Sequence, residues 1–182
     1  MRRATAKEIL AGSFREIARE KNVDKITVKD ITDRSGYSTA TFYRQFQDKY
    51  DLIAWDYAQQ IEQIMSQVGE EDYSWRDTLR DGAQNYARQR EYLANLLCHT
   101  SGMDAFVEYM REINYGHMKE QVLKKKGSEE LDEKTEMYIR IYVLGTVQLT
   151  CEWILGRFHV SPEVLAEIYE NSLPEPLRTY LL

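Results

Sequence analysis

Apolar residues recur along the chain at helical spacing. Ala6, Leu10, Phe14 and Ile17 form a one-sided stripe, with Arg15, Arg19 and Lys21 elsewhere, and predict a first helix ending near Asn22. Thr27 followed by Asp30 predicts a capped second helix to about Arg34. The hydroxyl accepts an otherwise orphaned N–H, and the carboxylate faces the positive helix end. Gly36 supplies the freedom for a tight turn, and Ser38 caps a short third helix ending near Phe46. Asp48, with Asp51 three residues on, caps a longer fourth helix that keeps Trp55, Ile61, Ile64 and Val68 on one face.

Further along, Ser74 caps a pattern that continues to about His99. Others run from Met103 to Lys126, from about Glu129 to Phe158, and from Ser161-Pro162 to Asn171. Eight or nine helices result, and the predicted fold is all-α. An N-terminal three-helix helix-turn-helix module spans residues 1–50, with its motif at 27–46, and a larger helical domain for ligand binding and dimerisation spans 51–182. Three prolines and nine glycines agree with long helices joined by short turns.

Charge refines this division. The whole chain carries 24 Lys+Arg against 30 Asp+Glu, a balance that argues against nucleic acid as a partner. Residues 1–51, however, hold 11 Lys+Arg and 8 Asp+Glu, while the remainder holds 13 and 22. Only the N-terminal third is suited to phosphates.

A helix that enters the major groove is held by apolar residues on one side and presents small or hydrogen-bonding side chains to base edges on the other. Residues 38–46 divide in this way. Phe42 and Phe46, four apart, can pack against Ile31 and the first helix, whereas Ala40 and Arg44 project from the opposite side. Thr39, Ala40, Tyr43 and Arg44 are the candidate reading surface, with Ser38 and Thr41 at the same helix start. Thr27, Tyr43 and Lys49 are candidate phosphate donors, and Lys29 can reach a base or a phosphate. Arg2 and Arg3 form either a basic arm that supplements the module or a solvated terminus. The plain alternative for each residue singly is a solvated side chain on a small helical module.

The T-V-x-D-I segment at 27–31, the glycine turn at Gly36 and the T-F-Y-R-x-F stretch at 41–46, followed by Asp48-Lys49, resemble the TetR/AcrR family. That resemblance implies a three-helix DNA-binding domain on a larger regulatory and dimerisation domain. It implies base-facing positions at Lys29, Thr39, Ala40 and Tyr43, and phosphate-contacting positions at Thr27, Tyr43 and Lys49. Two positions depart from the family pattern: Thr32 stands where alanine is usual, and Tyr37 where valine usually follows the glycine. Trp55, Tyr73-Ser74-Trp75, Gly145, Glu152-Trp153-Ile154, Gly156 and Ser161-Pro162-Glu163 are similar to the branch of regulators associated with dihydroxyacetone kinase operons. The family implies a sequence-specific transcriptional regulator, by default a repressor of nearby genes, controlled by an effector or partner at the C-terminal domain. The alternative is a helical interaction protein or co-activator acting through a protein co-receptor.

Other chemistry finds little support in the sequence. His99, His117 and His159 are too far apart for a metal motif, and Ser101 beside His99 lacks an orienting third group. No glycine-rich phosphate cradle occurs, so neither cofactor nor metal nor enzymatic activity is expected. Arg140, Gln148 and Glu152 wrap the apolar run from Met137 to Gly156, which therefore reads as a buried helix and not a membrane span. Cys98 and Cys151 read as buried reduced thiols, and the cytoplasm is the expected compartment. Among the aromatic residues of the second domain, Tyr86, Tyr109, Tyr138 and Tyr142, with Gln148 and Glu152, are candidate effector contacts, with core packing the alternative. The run from Met137 to Leu155 and the amphipathic stretch Val164, Leu165, Ile168, Tyr169 are the expected homodimer interface, and a twofold dimer reads a palindromic operator in double-stranded DNA.

Overall fold

The computed structural model describes residues 4–68, 73–100 and 103–182, with side chains from 106 in the last segment. Among the described residues there are ten α-helices and one short 3-10 turn, and no strand. They are α1 (Ala6–Ile17), the turn Val23–Lys25, α2 (Val28–Ser35), α3 (Thr39–Gln45), α4 (Lys49–Met65), α5 (Trp75–Arg88), α6 (Arg90–His99), α7 (Met103–Lys126), α8 (Glu133–Ile154), α9 (Pro162–Asn171) and α10 (Glu175–Leu181).

The first three helices enclose a small core of Leu10, Phe14, Ile17, Ile31, Phe42 and Phe46, all buried. Their ends are set by side chains. Thr5 and Glu8 form a reciprocal capping box on α1, as Thr27 and Asp30 do on α2. Gly36, at φ 74°, closes α2 in the left-handed region, where a residue without Cβ avoids strain. Ser38 then accepts the Thr41 N–H at 3.1 Å to start α3. Lys7 lies over the rings of Phe46 and Trp55, at 5.2 and 5.5 Å from their centres, and fastens the start of α1 to α3 and α4.

Asp48 caps α4 by accepting from Tyr50 and Asp51. This helix runs from the small core into a second, larger one, burying Leu52, Ile53, Tyr57, Ile61 and Met65 on the way. There α5 packs along α9, α7 along α8, and α10 against α7 and α8, while α6 touches α7, α8 and the 3-10 turn. No helix among the described residues is long and apolar enough to cross a membrane.

Several boundaries differ from expectation. The first helix stops at Ile17, and a turn and the 3-10 segment follow. The pattern from Ser74 to His99 is broken at Gln89, whose φ of −111° and ψ of 18° separate α5 from α6. The C-terminal α10 adds a further helix, and α8 begins at Glu133 behind an Asp132 cap. Cys151 is buried, but Cys98 is exposed, because it lies on the outer side of α6, away from Leu93, Leu96 and Leu97. Arg2, Arg3 and Ser101 lie outside the described residues.

Candidate DNA-binding surface and effector cavity

On α3 the side chains divide sharply. Phe42 and Phe46 are fully or almost fully buried, whereas Thr39, Ala40 and Arg44 are exposed and Tyr43 is 57% exposed. Tyr43 stands edge-on against the buried Phe42 ring, so its phenol is braced while its hydroxyl faces outward. Arg44 donates to Thr41 Oγ1 at 2.9 Å, and Thr41 and Ser38 share a hydrogen bond of 3.0 Å, which links three candidates along one helix edge. Thr32 is buried, and its hydroxyl donates to the Lys29 carbonyl at 3.1 Å, so the departure from alanine leaves no unsatisfied polar group.

At the start of α2, Thr27 bonds Asp30 through its hydroxyl at 2.8 Å. Lys21 and Thr27 together hold the Asp30 carboxyl down at about 2. Lys29 is exposed and pairs with Asp33 at 2.8 Å, a screened contact that a phosphate can replace. Lys49 is placed differently. Its ammonium donates to the carbonyls of Val23, Asp24 and Ile26 at 2.8, 3.1 and 2.9 Å, so all three protons are used inside the protein. It reaches a phosphate only by releasing one of them.

A second feature lies among α4, α5, α7, α8 and α9. These helices enclose a space of about 100 Å³, lined mainly by apolar side chains such as Ile61, Leu79, Met118 and Val147. Of the six expected effector contacts, Tyr86 and Tyr142 line it. The Tyr86 hydroxyl bonds that of Tyr57 at 2.8 Å, and Asn114 donates to Tyr57 at 3.0 Å. Thr150 and Tyr169 share a 2.7 Å hydrogen bond on the opposite wall. Burial raises the pKa of each of these phenols, which therefore stay neutral. The buried Trp75 indole N–H closes no hydrogen bond of ordinary geometry, although it lies near enough to the Tyr142 phenol to oppose the rise in that group's pKa.

The other four expected contacts lie elsewhere. Tyr109 is exposed on α7, and Tyr138 is half-buried beneath Lys134. Gln148 donates to Glu152 at 3.0 Å on the outer side of α8. Helical register accounts for the placement of the α8 residues, since 141, 144, 148 and 152 share one face while Tyr142, Thr146 and Thr150 share the inward one. Among the described residues, no three His, Cys, Asp or Glu side chains converge on a point able to hold a metal.

Known proteins place this arrangement. Residues 9–54 match the model of bacterial regulatory proteins of the tetR family, and residues 74–174 match a transcriptional regulator C-terminal region. The chain belongs to the TetR family. It is accordingly a DNA-binding transcription regulator. Comparison with curated protein sequences gives no match. Among solved structures, the dihydroxyacetone kinase operon activator DhaS is 16% identical with a TM-score of 0.71, over 97% of this chain and 98% of its own. The fatty acid degradation regulator FadR from Bacillus halodurans is 15% identical with a TM-score of 0.63, over 98% and 99%. FadR from Bacillus subtilis in complex with stearoyl-CoA is 15% identical with a TM-score of 0.55, over 92% and 97%. At these identities the likeness is one of fold.

In this TetR-family chain the helix-turn-helix is tied to the second core by contacts that sequence reading missed. Asn95 of α6 accepts the Val23 N–H at 3.1 Å and donates to the carbonyls of Ala18 and Lys21 at 2.6 and 2.9 Å. Arg15 of α1 lies 3.4 Å from the buried Asp56 of α4, which also accepts from Tyr92 at 3.3 Å. Burial pushes the Asp56 pKa up, and Arg15 opposes the shift. At the start of α6, Arg90 donates to the carbonyls of Ile154 and Trp153 at 3.0 and 2.6 Å, closing the C-terminus of α8. The partners of Asn95 and Arg90 are 63 to 77 residues away, so no local pattern announces either role.

Proposed function

We propose that this chain is a homodimeric, sequence-specific regulator that reads a palindromic operator through α3 and is controlled by an effector in the cavity of the second core. The observation that carries the DNA reading is the split of α3 into a buried Phe42–Phe46 side and an exposed Thr39, Ala40, Tyr43, Arg44 side. The chain divides functionally into a DNA-binding unit over residues 1–50 and a regulatory unit over 51–182. Lys29, Thr39, Ala40, Tyr43 and Arg44 address bases, while Thr27 and the Tyr43 hydroxyl set register on phosphates and Ser38 and Thr41 support that helix edge. Lys49 acts on DNA indirectly, by holding the carbonyls of the 3-10 turn in front of α2.

The dimer reading rests on exposed apolar residues carried by two helices. Met137, Ile141 and Leu144 face outward from α8, with Ile141 67% exposed, and Val164 and Ile168 face outward from α9. Patches of this kind mark association surfaces. A twofold dimer sets the two α3 helices about 34–36 Å apart, or a multiple of that, on successive turns of the groove. The cavity, at about 100 Å³, has room for a few water-sized groups in this conformation. A larger effector requires its walls to part, which would shift α8 and with it the spacing of the heads.

Repression of neighbouring genes is the proposed action. Activation, with or without a protein co-receptor, is the second reading, favoured by the likeness over nearly the full chain to the operon activator DhaS. Gel shift with the promoter of the protein's own operon, run against Tyr43→Ala, tests the DNA reading. Sequence-selective binding by the wild type and weakening of all sequences by the variant are expected. Absence of selective binding at low salt, with or without effectors, refutes it.

A further inference from the structure

Apart from the α3 surface and the effector cavity, α1 and the α5–α6 junction face each other across an open cleft of about 480 Å³. Its walls carry Arg15 of α1, Arg19 in the turn that follows α1, Arg88 at the end of α5 and Arg90 at the start of α6, and among the described residues Glu91 is the only carboxylate that lines it. Four arginines thus line one cleft in a chain whose net charge is −6. Converging like charges repel unless an anion sits among them.

The four arginines are not equivalent. Arg15 answers the buried Asp56, and Arg90 is bound to the carbonyls that end α8. The guanidinium groups of Arg19 and Arg88 have no hydrogen bond or ion pair to any of the described residues. Arg19 and Arg88 are both exposed, and come from the two opposite walls. The Gln89 side chain donates to Gln60 and Asn85 and caps no N–H of α6, so the first N–H groups of that helix stay uncapped beside the cleft. A space of this size admits a small molecule and excludes a duplex. None of the candidate DNA-contacting residues lines it.

We propose that this cleft binds a small multivalent oxyanion, held by the forks of Arg19 and Arg88 between the DNA-binding unit and the α5–α6 junction. Guanidinium groups suit phosphoryl and carboxylate oxygens alike, because both accept paired N–H donors. Such a ligand ties the turn after α1 to the end of α5, and so reports an anionic metabolite to the DNA-binding head by a route separate from the effector cavity.

Isothermal titration of the full chain with sodium pyrophosphate and with sodium citrate tests this, at low salt and with thermal unfolding run in parallel. The wild type is expected to bind at least one of them with Kd near or below about 1 mM. Binding of pyrophosphate alone assigns a phosphoryl ligand, and binding of both assigns a general oxyanion site. The double variant Arg19→Gln, Arg88→Gln should keep the wild-type unfolding midpoint without ligand and bind at least about tenfold more weakly. A control, Lys124→Gln, alters an exposed cation far along α7 and should bind as the wild type does. The proposal fails if neither anion binds at about 20 mM. It fails equally if the double variant binds as well as the wild type, or if the control weakens binding to the same extent. Loss of operator binding by the double variant, in a protein that binds neither anion, would assign these arginines to DNA instead.

Discussion

Lys49→Met separates two uses of one ammonium group. The methionine keeps most of the aliphatic stem but removes three donors from the carbonyls of Val23, Asp24 and Ile26, two of which belong to buried residues. Leaving a buried acceptor unsatisfied costs about 1–3 kcal/mol, and water can reach part of this site, so a total loss of about 2 kcal/mol is expected. For a chain of 182 residues each kcal/mol moves the midpoint by about 2–4 °C, which gives a drop of about 4–8 °C. Thermal unfolding by circular dichroism reads this, at one fixed protomer concentration because association shifts the midpoint. The same preparations give operator affinity against salt. A residue that only neutralises a phosphate leaves the midpoint alone and lowers the slope of log affinity against log salt by about one on mutation. An unchanged midpoint with that reduced slope would refute the internal role and return Lys49 to the phosphate backbone.

Three further outcomes follow from particular contacts. Ile141→Glu places a carboxylate on the proposed twofold surface and should give a monomer by analytical ultracentrifugation at about 10 μM, where the wild type is a dimer; an unchanged mass moves the interface elsewhere. Asn95→Ala leaves the Val23 N–H and the carbonyls of Ala18 and Lys21 without their partner. It should cost about 2 kcal/mol in urea unfolding and speed hydrogen exchange at Val23, and wild-type exchange there would contradict the tie between α6 and the head. Asp30 has a folded pKa depressed to about 2 from an ordinary 3.8, so the stability it contributes is full above the ordinary value and is lost as pH falls toward the folded one. Acid unfolding over that interval should be steeper in the wild type than in Lys21→Met, and equal slopes would remove the Lys21 contribution.

The parts of the fold that were legible in advance are those decided within one turn of helix. Thr27 with Asp30, Ser38, Asp48, Ser74 and Ser161 each announce a helix start through a side chain that bonds a nearby N–H, and each does so in the structure. The break at Gln89 was hidden because Arg88-Gln89-Arg90-Glu91 are all good helix formers without glycine or proline. It is held from a distance, by Gln89 donating to Gln60 at 2.6 Å and by Arg90 reaching the end of α8. Of the expected contacts, Tyr86, Tyr109, Tyr138, Tyr142, Gln148 and Glu152, only Tyr86 and Tyr142 line the cavity, and α8 is apolar on two sides. Its inward side lines the cavity, and its outward side carries Met137, Ile141 and Leu144. Periodicity locates both faces but cannot rank them when both carry large apolar side chains.

That double-faced α8 explains why two proposed roles converge on so short a path. Tyr142, Thr146 and Thr150 touch the cavity from the same helix that presents Ile141 and Leu144 to the surface, so neither face can rotate without turning the other. The end of α8 is held by Arg90, and α6, only ten residues long, carries Arg90 at its start and Asn95 in its middle. If an effector displaces the α8 terminus, as proposed, a helix that short would carry the displacement as a rigid body to Ala18, Lys21 and Val23, at the junction of α1 with the 3-10 turn. Lys49 and Asp30 connect that junction to the start of α2, through the carbonyls of the turn and the capping pair at Thr27. The polar contacts that span the two cores are therefore concentrated where α6 meets the turn, and the proposed oxyanion would sit across the opposite end of α6, beside Arg90.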